Sequence, residues 1–287
     1  MRRETVAEIK FYSWKLGLAL ALALFAISSA ANKAKAQPFP NRQQILSPTA
    51  SPLAQNSPVK FKRPPLSPRG APGNRKGGGT RDGYICSTLD INESLMALVP
   101  SVEPEPTISH VWGLTLEASP TLWFYVPYQP KDIKVGELEI WDETHSDPRN
   151  YQQIYQGTFT VTSTPGAIAL TLPSTVKLEP GKNYHWYLTL KMNCDRVTQA
   201  VNVNGWIQQV KLNNHLPSQQ LGDRDRLIFY VENGIWFDAI TLLAQMRRRQ
   251  PETQIWRTDW QTLIGDIGLE EFANKPIVPC CQLQTTD

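Results

Sequence analysis

The chain has 287 residues, enough for one large domain or two small ones, with 29 Lys and Arg against 26 Asp and Glu. Six of those bases and two of the acids fall in the first 36 residues, eight bases and no acid lie between 37 and 81, and 15 bases against 24 acids follow. An acidic body behind a basic arm argues against nucleic acid as a partner, and four cysteines without any C-x-x-C exclude zinc-ribbon and thioredoxin-like readings.

Residues 1–36 have the pattern of a signal peptide. Arg2, Arg3, Lys10 and Lys15 make a basic start, Leu16 to Ile27 is an uncharged apolar run, and Ala34-Lys35-Ala36 offers a small-x-small cleavage site. The mature chain is expected to begin near Gln37, or a few residues earlier if the cut falls near Ser28-Ser29-Ala30, and to be periplasmic or extracellular. The strongly apolar part is shorter than the roughly 20 residues that span a bilayer, so membrane attachment would come only through an uncleaved signal. Residues 37–81 are rich in proline, serine, glycine and basic side chains, as in Ser47-Pro48, Ser51-Pro52 and Pro64-Pro65. That composition predicts a disordered linker, because too little apolar surface is present to offset the entropy of ordering. The basic arm suits contact with an anionic envelope polymer or lipid, weak pairing with its own acidic body, or a solvated spacer.

Residues 82–214 read as strands of an antiparallel, immunoglobulin-like β-sandwich. Leu122-Trp-Phe-Tyr-Val126 is bulky on both faces and should be central. Leu138 and Ile140 alternate with Glu137 and Glu139, and Ile168, Leu170 and Leu172 alternate with Ala169 and Thr171. From Tyr184, the set Tyr184, Trp186, Leu188, Leu190 and Met192 should face inward, leaving His185, Tyr187, Thr189 and Lys191 outside. Val201 and Val203 share one parity and Trp206, Val210 and Leu212 the other, so a β-bulge is expected at Gly205.

Residues 215–278 change period and predict a helical hairpin packed on the sandwich, before a tail at 279–287. Leu221 to Val231 is a weaker helical segment. Ile235, Ala239, Leu242, Leu243 and Met246 then define an amphipathic helix, with Asn233 as its expected cap and Arg247 to Arg249 in its last turn. Pro251-Glu252 opens a second helix with Trp256, Trp260, Leu263 and Ile264 on one face, and a short third is expected around Leu269 and Phe272.

The segments Arg69-Gly-Ala-Pro-Gly73, Lys76-Gly-Gly-Gly-Thr-Arg81, Trp123-Phe-Tyr-Val-Pro127, Tyr184-His-Trp-Tyr187 and Gly205-Trp-Ile207 resemble the cyanobacterial DUF928 family. Gly234-Ile-Trp-Phe-Asp-Ala239, Trp260 and Gly268-Leu-Glu-Glu271 extend the likeness in matching order from Arg69 to Val278. The resemblance implies an exported cyanobacterial protein of unassigned activity and supplies no catalytic residues.

Few constellations point to chemistry. The glycine-rich Arg75–Arg81 segment lacks the strand before it and the helix after it that a phosphate cradle needs, so tight backbone turning is the expected role, with anion capture by Arg75, Lys76 and Arg81 as the lesser one. None of the four histidines has a familiar metal spacing, no cofactor is implied, and His145-Ser146-Asp147 is a turn, not a triad. Cys86 and Cys194 flank strands and could form a disulfide worth roughly 4–5 kcal/mol in the chain-entropy model. The adjacent Cys280 and Cys281 are expected to be unpaired and idle. Most of the nine tryptophans should fill the core, with Trp141 and Tyr187 as the exposed exceptions. Three readings follow. The first is a non-catalytic envelope interaction module that binds a protein or polysaccharide. The second is a carbohydrate-binding module using Trp141 and Tyr187. The third is a hydrolase, which would require His185 near Glu117 or Asp142.

Overall fold

The structure, a computed structural model, describes residues 59–66, 70–78, 93–105, 108–194, 199–211 and 222–285. The expected signal peptide, the arm before residue 59, Arg81 and Cys86 lie outside the described residues. Among the described residues no helix is long and apolar enough to cross a membrane.

The strands are β1 (Asn74–Gly78), β2 (Met96–Ala97), β3 (Ser101–Glu105), β4 (Ile108–Thr115), β5 (Thr121–Val126) and β6 (Ile133–Asp142). They continue with β7 (Gln152–Phe159), β8 (Gly166–Thr171), β9 (Asn183–Met192), β10 (Ala200–Gln209) and β11 (Gln284–Thr285). They hydrogen-bond in the order β11-β7-β6-β9-β10-β1-β2-β5-β8, with β4 joined to β10 and β3 to β4. All pairs are antiparallel except β4 with β10, which run parallel. The architecture is therefore mainly β, a curled and largely antiparallel sheet followed by three helices, and not two separate facing sheets. The joint explains the difference. β1 pairs with β10 on one side and β2 on the other, carrying the ladder across to β5. That joining strand falls in the stretch whose composition predicts a linker. Its Gly77 is required for close approach, since a Cβ there would come within 2.7 Å of Val201 Cγ1 and 2.9 Å of Leu95 Cβ.

The alternation expected from the sequence organises the core. The five inward residues of β9 are all buried, as are Leu138 and Ile140 of β6 and Ile168 and Leu170 of β8. β5 lies between β2 and β8 and buries Leu122 through Val126. The expected bulge at Gly205 is absent: β10 keeps unbroken register with β9 from Ala200↔Lys191 to Gln208↔Asn183. Val201, Val203, Gly205 and Ile207 thus face inward throughout, and Trp206 faces outward. Gly205 serves packing, because a Cβ would meet Trp186 Cζ2 at 2.5 Å and Val111 Cγ1 at 2.7 Å.

Helices α1 (Asp223–Glu232), α2 (Trp236–Arg249) and α3 (Gln254–Gly265) follow. The weaker segment is thus a full helix, and the hairpin becomes a three-helix unit. Asn233 caps the end of α1, its Nδ2 donating to Phe229 O at 2.8 Å, and does not start α2. The left-handed Gly234 (φ +71°) makes the turn between them. α2 lies against the sheet: Trp236 Nε1 donates to Leu98 O at 2.9 Å and Trp123 Nε1 to Thr241 Oγ1 at 3.0 Å. Trp256, Trp260, Leu263 and Ile264 of α3 are buried as the pattern required, and the expected third helix is a single 3-10 turn at Glu270–Phe272.

Part of the predicted linker is packed. Val59 and Phe61 are buried, and the Phe61 ring meets Trp236 edge-on at 4.9 Å. Phe61 N donates to Asp266 Oδ2 at 2.7 Å and Lys62 N to Val231 O at 2.9 Å. Two apolar side chains suffice here because the helices supply a ready wall, so only the residual ordering cost must be offset. A composition average over the whole arm hides them.

Cys280 and Cys281, expected to be unpaired, are joined to each other in a disulfide and pack half-buried against the core. Cys194 is also disulfide-bonded, while Cys86 lies outside the described residues.

Candidate functional site

The outward face of β6, β9 and β10 carries a group of aromatic and polar side chains. Cross-strand register places them in rows. Trp112 of β4 pairs with Trp206 of β10, Trp206 with His185 of β9, and His185 with Trp141 of β6. Because directly opposed residues share a face and adjacent strands lie about 4.8 Å apart, these rings form one line across the sheet. The next row runs Asn204, Tyr187 and Glu139. Trp112 at one end is buried, whereas Trp206, Tyr187 and Trp141 are half-exposed.

His185 anchors this face. It was expected outside, and it does project outward, but it is buried beneath its neighbours. Trp206 stacks on it at 4.3 Å with planes 17° apart, and Tyr187 lies 4.1 Å from its centroid. Its Nε2 is 3.0 Å from Asn204 Oδ1 and its Nδ1 is 2.7 Å from Tyr187 Oη. With Nε2 donating to Asn204, the Nδ1 of a neutral ring accepts the Tyr187 hydroxyl proton. Burial pushes the imidazole below its ordinary value, outweighing Asn204 and the nearby Glu143, whose Oε1 is 3.2 Å from Nδ1. Burial and the charge of Glu143 push the Tyr187 phenol upward. The ring is thus a neutral, rigid support near pH 7.

Polar groups rim the aromatics. Glu139 Oε2 accepts from Trp141 Nε1 at 2.9 Å and from Gln153 Nε2 at 3.0 Å, and Lys191 pairs with Glu137 at 2.5 Å. Trp206 Nε1 donates to Pro72 O at 2.9 Å, tying the segment before β1 to the row.

Register places Trp141 and Tyr187 on this one surface with His185, and adds Trp206 and Asn204. Trp206 was missed because the expected bulge turned it inward; unbroken period-2 reading through Gly205 would have found it. Arg75 is used within the fold, with Nη1 donating to Ile267 O at 2.8 Å. Lys76 is exposed on β1, and Arg81 lies outside the described residues. His185 meets Glu143, not Glu117 or Asp142; Asp142 is paired with Lys182 at 3.1 Å. Among the described residues no cluster of three His, Cys, Asp or Glu could hold a metal ion.

A family model described as Domain of Unknown Function (DUF928) matches residues 76–277. The chain belongs to the DUF928 family. That match runs from within β1 through α3 and takes in the whole aromatic face, so the face of this DUF928 chain is built within the family domain. No curated protein and no solved structure matches the chain.

Proposed function

We propose that this DUF928 chain is an exported protein of a cyanobacterial envelope and acts as a non-catalytic binding module through the outer face of β6, β9 and β10. Export is supported by the basic, apolar and small-residue order of residues 1–36. The binding role is carried by one observation: three half-exposed aromatic rings lie in adjacent rows among amide and carboxylate groups on a rigid sheet. A neutral buried imidazole held by Asn204 and Tyr187 suits scaffolding, not proton transfer.

That arrangement favours a polysaccharide as ligand over an envelope protein. Sugar rings present apolar faces that stack on indole and phenol rings and hydroxyl edges that bond to carboxamides and carboxylates. Glu139, Gln153 and Asn204 are placed for the second task.

Pull-down on isolated cell-wall polymer, with calorimetry on soluble oligosaccharides, tests this. Wild type should bind, and Trp141→Ala and Tyr187→Ala should each weaken binding about tenfold or more with the fold intact, since a stacked ring contributes about 1–2 kcal/mol. Variants that bind as wild type does would remove the face from the argument. Recovery of an envelope protein by crosslinking at residue 187, with no glycan affinity, would favour the protein-docking reading.

A further inference from the structure

The adjacent cysteines of the tail sit at a place that the sheet topology singles out. In strand order the sheet ends at β8 on one side and, apart from the tail's own β11, at β7 on the other. The tail reaches both. Its Ile277 bridges Ala167 of β8, with Ala167 N donating to Pro276 O at 2.8 Å and Val278 N to Ala167 O at 3.0 Å. Its β11 then pairs Gln284 with Thr158 and Thr285 with Gly157 of β7. Both strands make room for it with a glycine. A Cβ on Gly166 would meet Val278 Cγ1 at 2.7 Å, and one on Gly157 would meet Gln284 O at 2.8 Å. The tail is thus a strap across the two ends of the curled sheet, and the Cys280–Cys281 disulfide lies between its attachments.

This disulfide joins neighbours in sequence, so it closes no long loop and does little to restrict the unfolded chain. What it fixes is local. The bond closes a small ring that contains the Cys280–Cys281 peptide, and Cys280 ψ and Cys281 φ are rotations about bonds of that ring. Cys281 stands at φ +76°, a left-handed conformation that residues with a Cβ seldom adopt. A chain free to choose would place glycine at such a turn. Both cysteines are half-buried, packed against the core, with exposed Pro279 and Gln282 on either side.

We propose that Cys280–Cys281 is a redox site that a dithiol partner reduces, and that its reduction frees β11 from the edge of β7. One thiolate of the partner attacks a sulfur of the pair to form a mixed disulfide, which the partner's second thiol then resolves. Two electrons and two protons pass to Cys280 and Cys281, which become thiols, and the partner leaves as its own disulfide. Without the ring, Cys281 returns to an ordinary backbone conformation and the strap changes course. The two-residue ladder on β7 is too short to hold by itself and opens. The other attachment persists, because Arg248 Nη2 also donates to Val278 O at 2.7 Å.

Stepwise reduction of the full chain with dithiothreitol, with thiols trapped by iodoacetamide and located by peptide mapping, tests the redox step. Cys280 and Cys281 should become alkylated at about tenfold lower reductant than Cys194. Hydrogen exchange read by mass spectrometry tests the release. After that selective reduction, residues 279–285 and the β7 peptide should exchange about tenfold faster, with β9 unchanged. A chain carrying both Cys280→Ser and Cys281→Ser should show the fast exchange without reductant, and protection of β9 reports that it is folded. Alkylation of Cys280 and Cys281 without reductant, reduction of Cys194 at the same or lower concentration, or exchange in the strap and β7 that reduction leaves unchanged would overturn the proposal. None of these results bears on glycan binding by the aromatic face.

Discussion

Asp238 offers a stability test independent of any ligand. Its carboxyl sits at about 7 in the folded chain because burial penalises the charged form more than Thr115 and Leu116 favour it. In the unfolded chain it would titrate at about 3.9. The folded state therefore keeps a proton that the unfolded chain has already lost. Asp238's contribution is greatest below about pH 4 and is lost as pH rises through about 7, at about 1.4 kcal/mol per pH unit within that window. Between about pH 5 and pH 8 the loss comes to roughly 2–3 kcal/mol. Asp238→Asn keeps the shape, and a single carboxamide oxygen can still accept from Thr115 and Leu116, but it never ionises. Urea denaturation followed by tryptophan fluorescence, with both proteins at each pH, cancels every other titration. The variant should gain on wild type by about 2–3 kcal/mol from pH 5 to pH 8. A difference that stays constant across this range would show that Asp238 is not a desolvated carboxyl.

Other outcomes follow from single contacts. Gly205→Ala forces a methyl against Trp186 and Val111 and should destabilise by about 2–3 kcal/mol in the same assay, whereas a strand with a bulge at 205 would accept it. Phe61→Ala removes the ring that meets Trp236 and should cost about 3 kcal/mol, exposing Lys60, Lys62 and Arg63 to trypsin under native conditions; equal protection in both proteins would refute the docked arm. The His185 ring should titrate below about 6.5 by NMR, and because its folded value lies below the unfolded one, its contribution to stability is lost as the solution is acidified below that value. A ring titrating above 6.5 would mean that Glu143 outweighs burial. Peptide mapping without reductant should link Cys194 to Cys86, and a link from Cys194 to any other cysteine would refute that pairing.

Much of the fold was legible because burial follows strand and helix periods closely. The inward set of β9, the alternation of β6 and β8, and the apolar stripes of α2 and α3 all appear where side-chain spacing places them. Two kinds of information were not local. Whether strands close into two sheets or one depends on which edges pair, and that link is made by the two-residue β2 and by β1, whose glycine-rich composition resembles a linker. Whether Gly205 marks a bulge or a close contact depends on Trp186 and Val111, which are distant in the chain and adjacent only after folding.

The sites divide in the same way. Trp141 and Tyr187 could be named from alternation alone, because which face a strand residue takes is a property of the strand. That His185 would be buried beneath Trp206, and that Asp238 would line a cavity with Glu117, depended on register between strands and on how helices seat against them. By itself the sequence determined composition, periodicity and the inward faces, since these depend only on each residue and its neighbours along the chain. The tertiary structure alone decided the continuous sheet, the docked arm and the convergence of charged groups. Those are contacts between distant segments, and only folding sets their distances and their shielding from water.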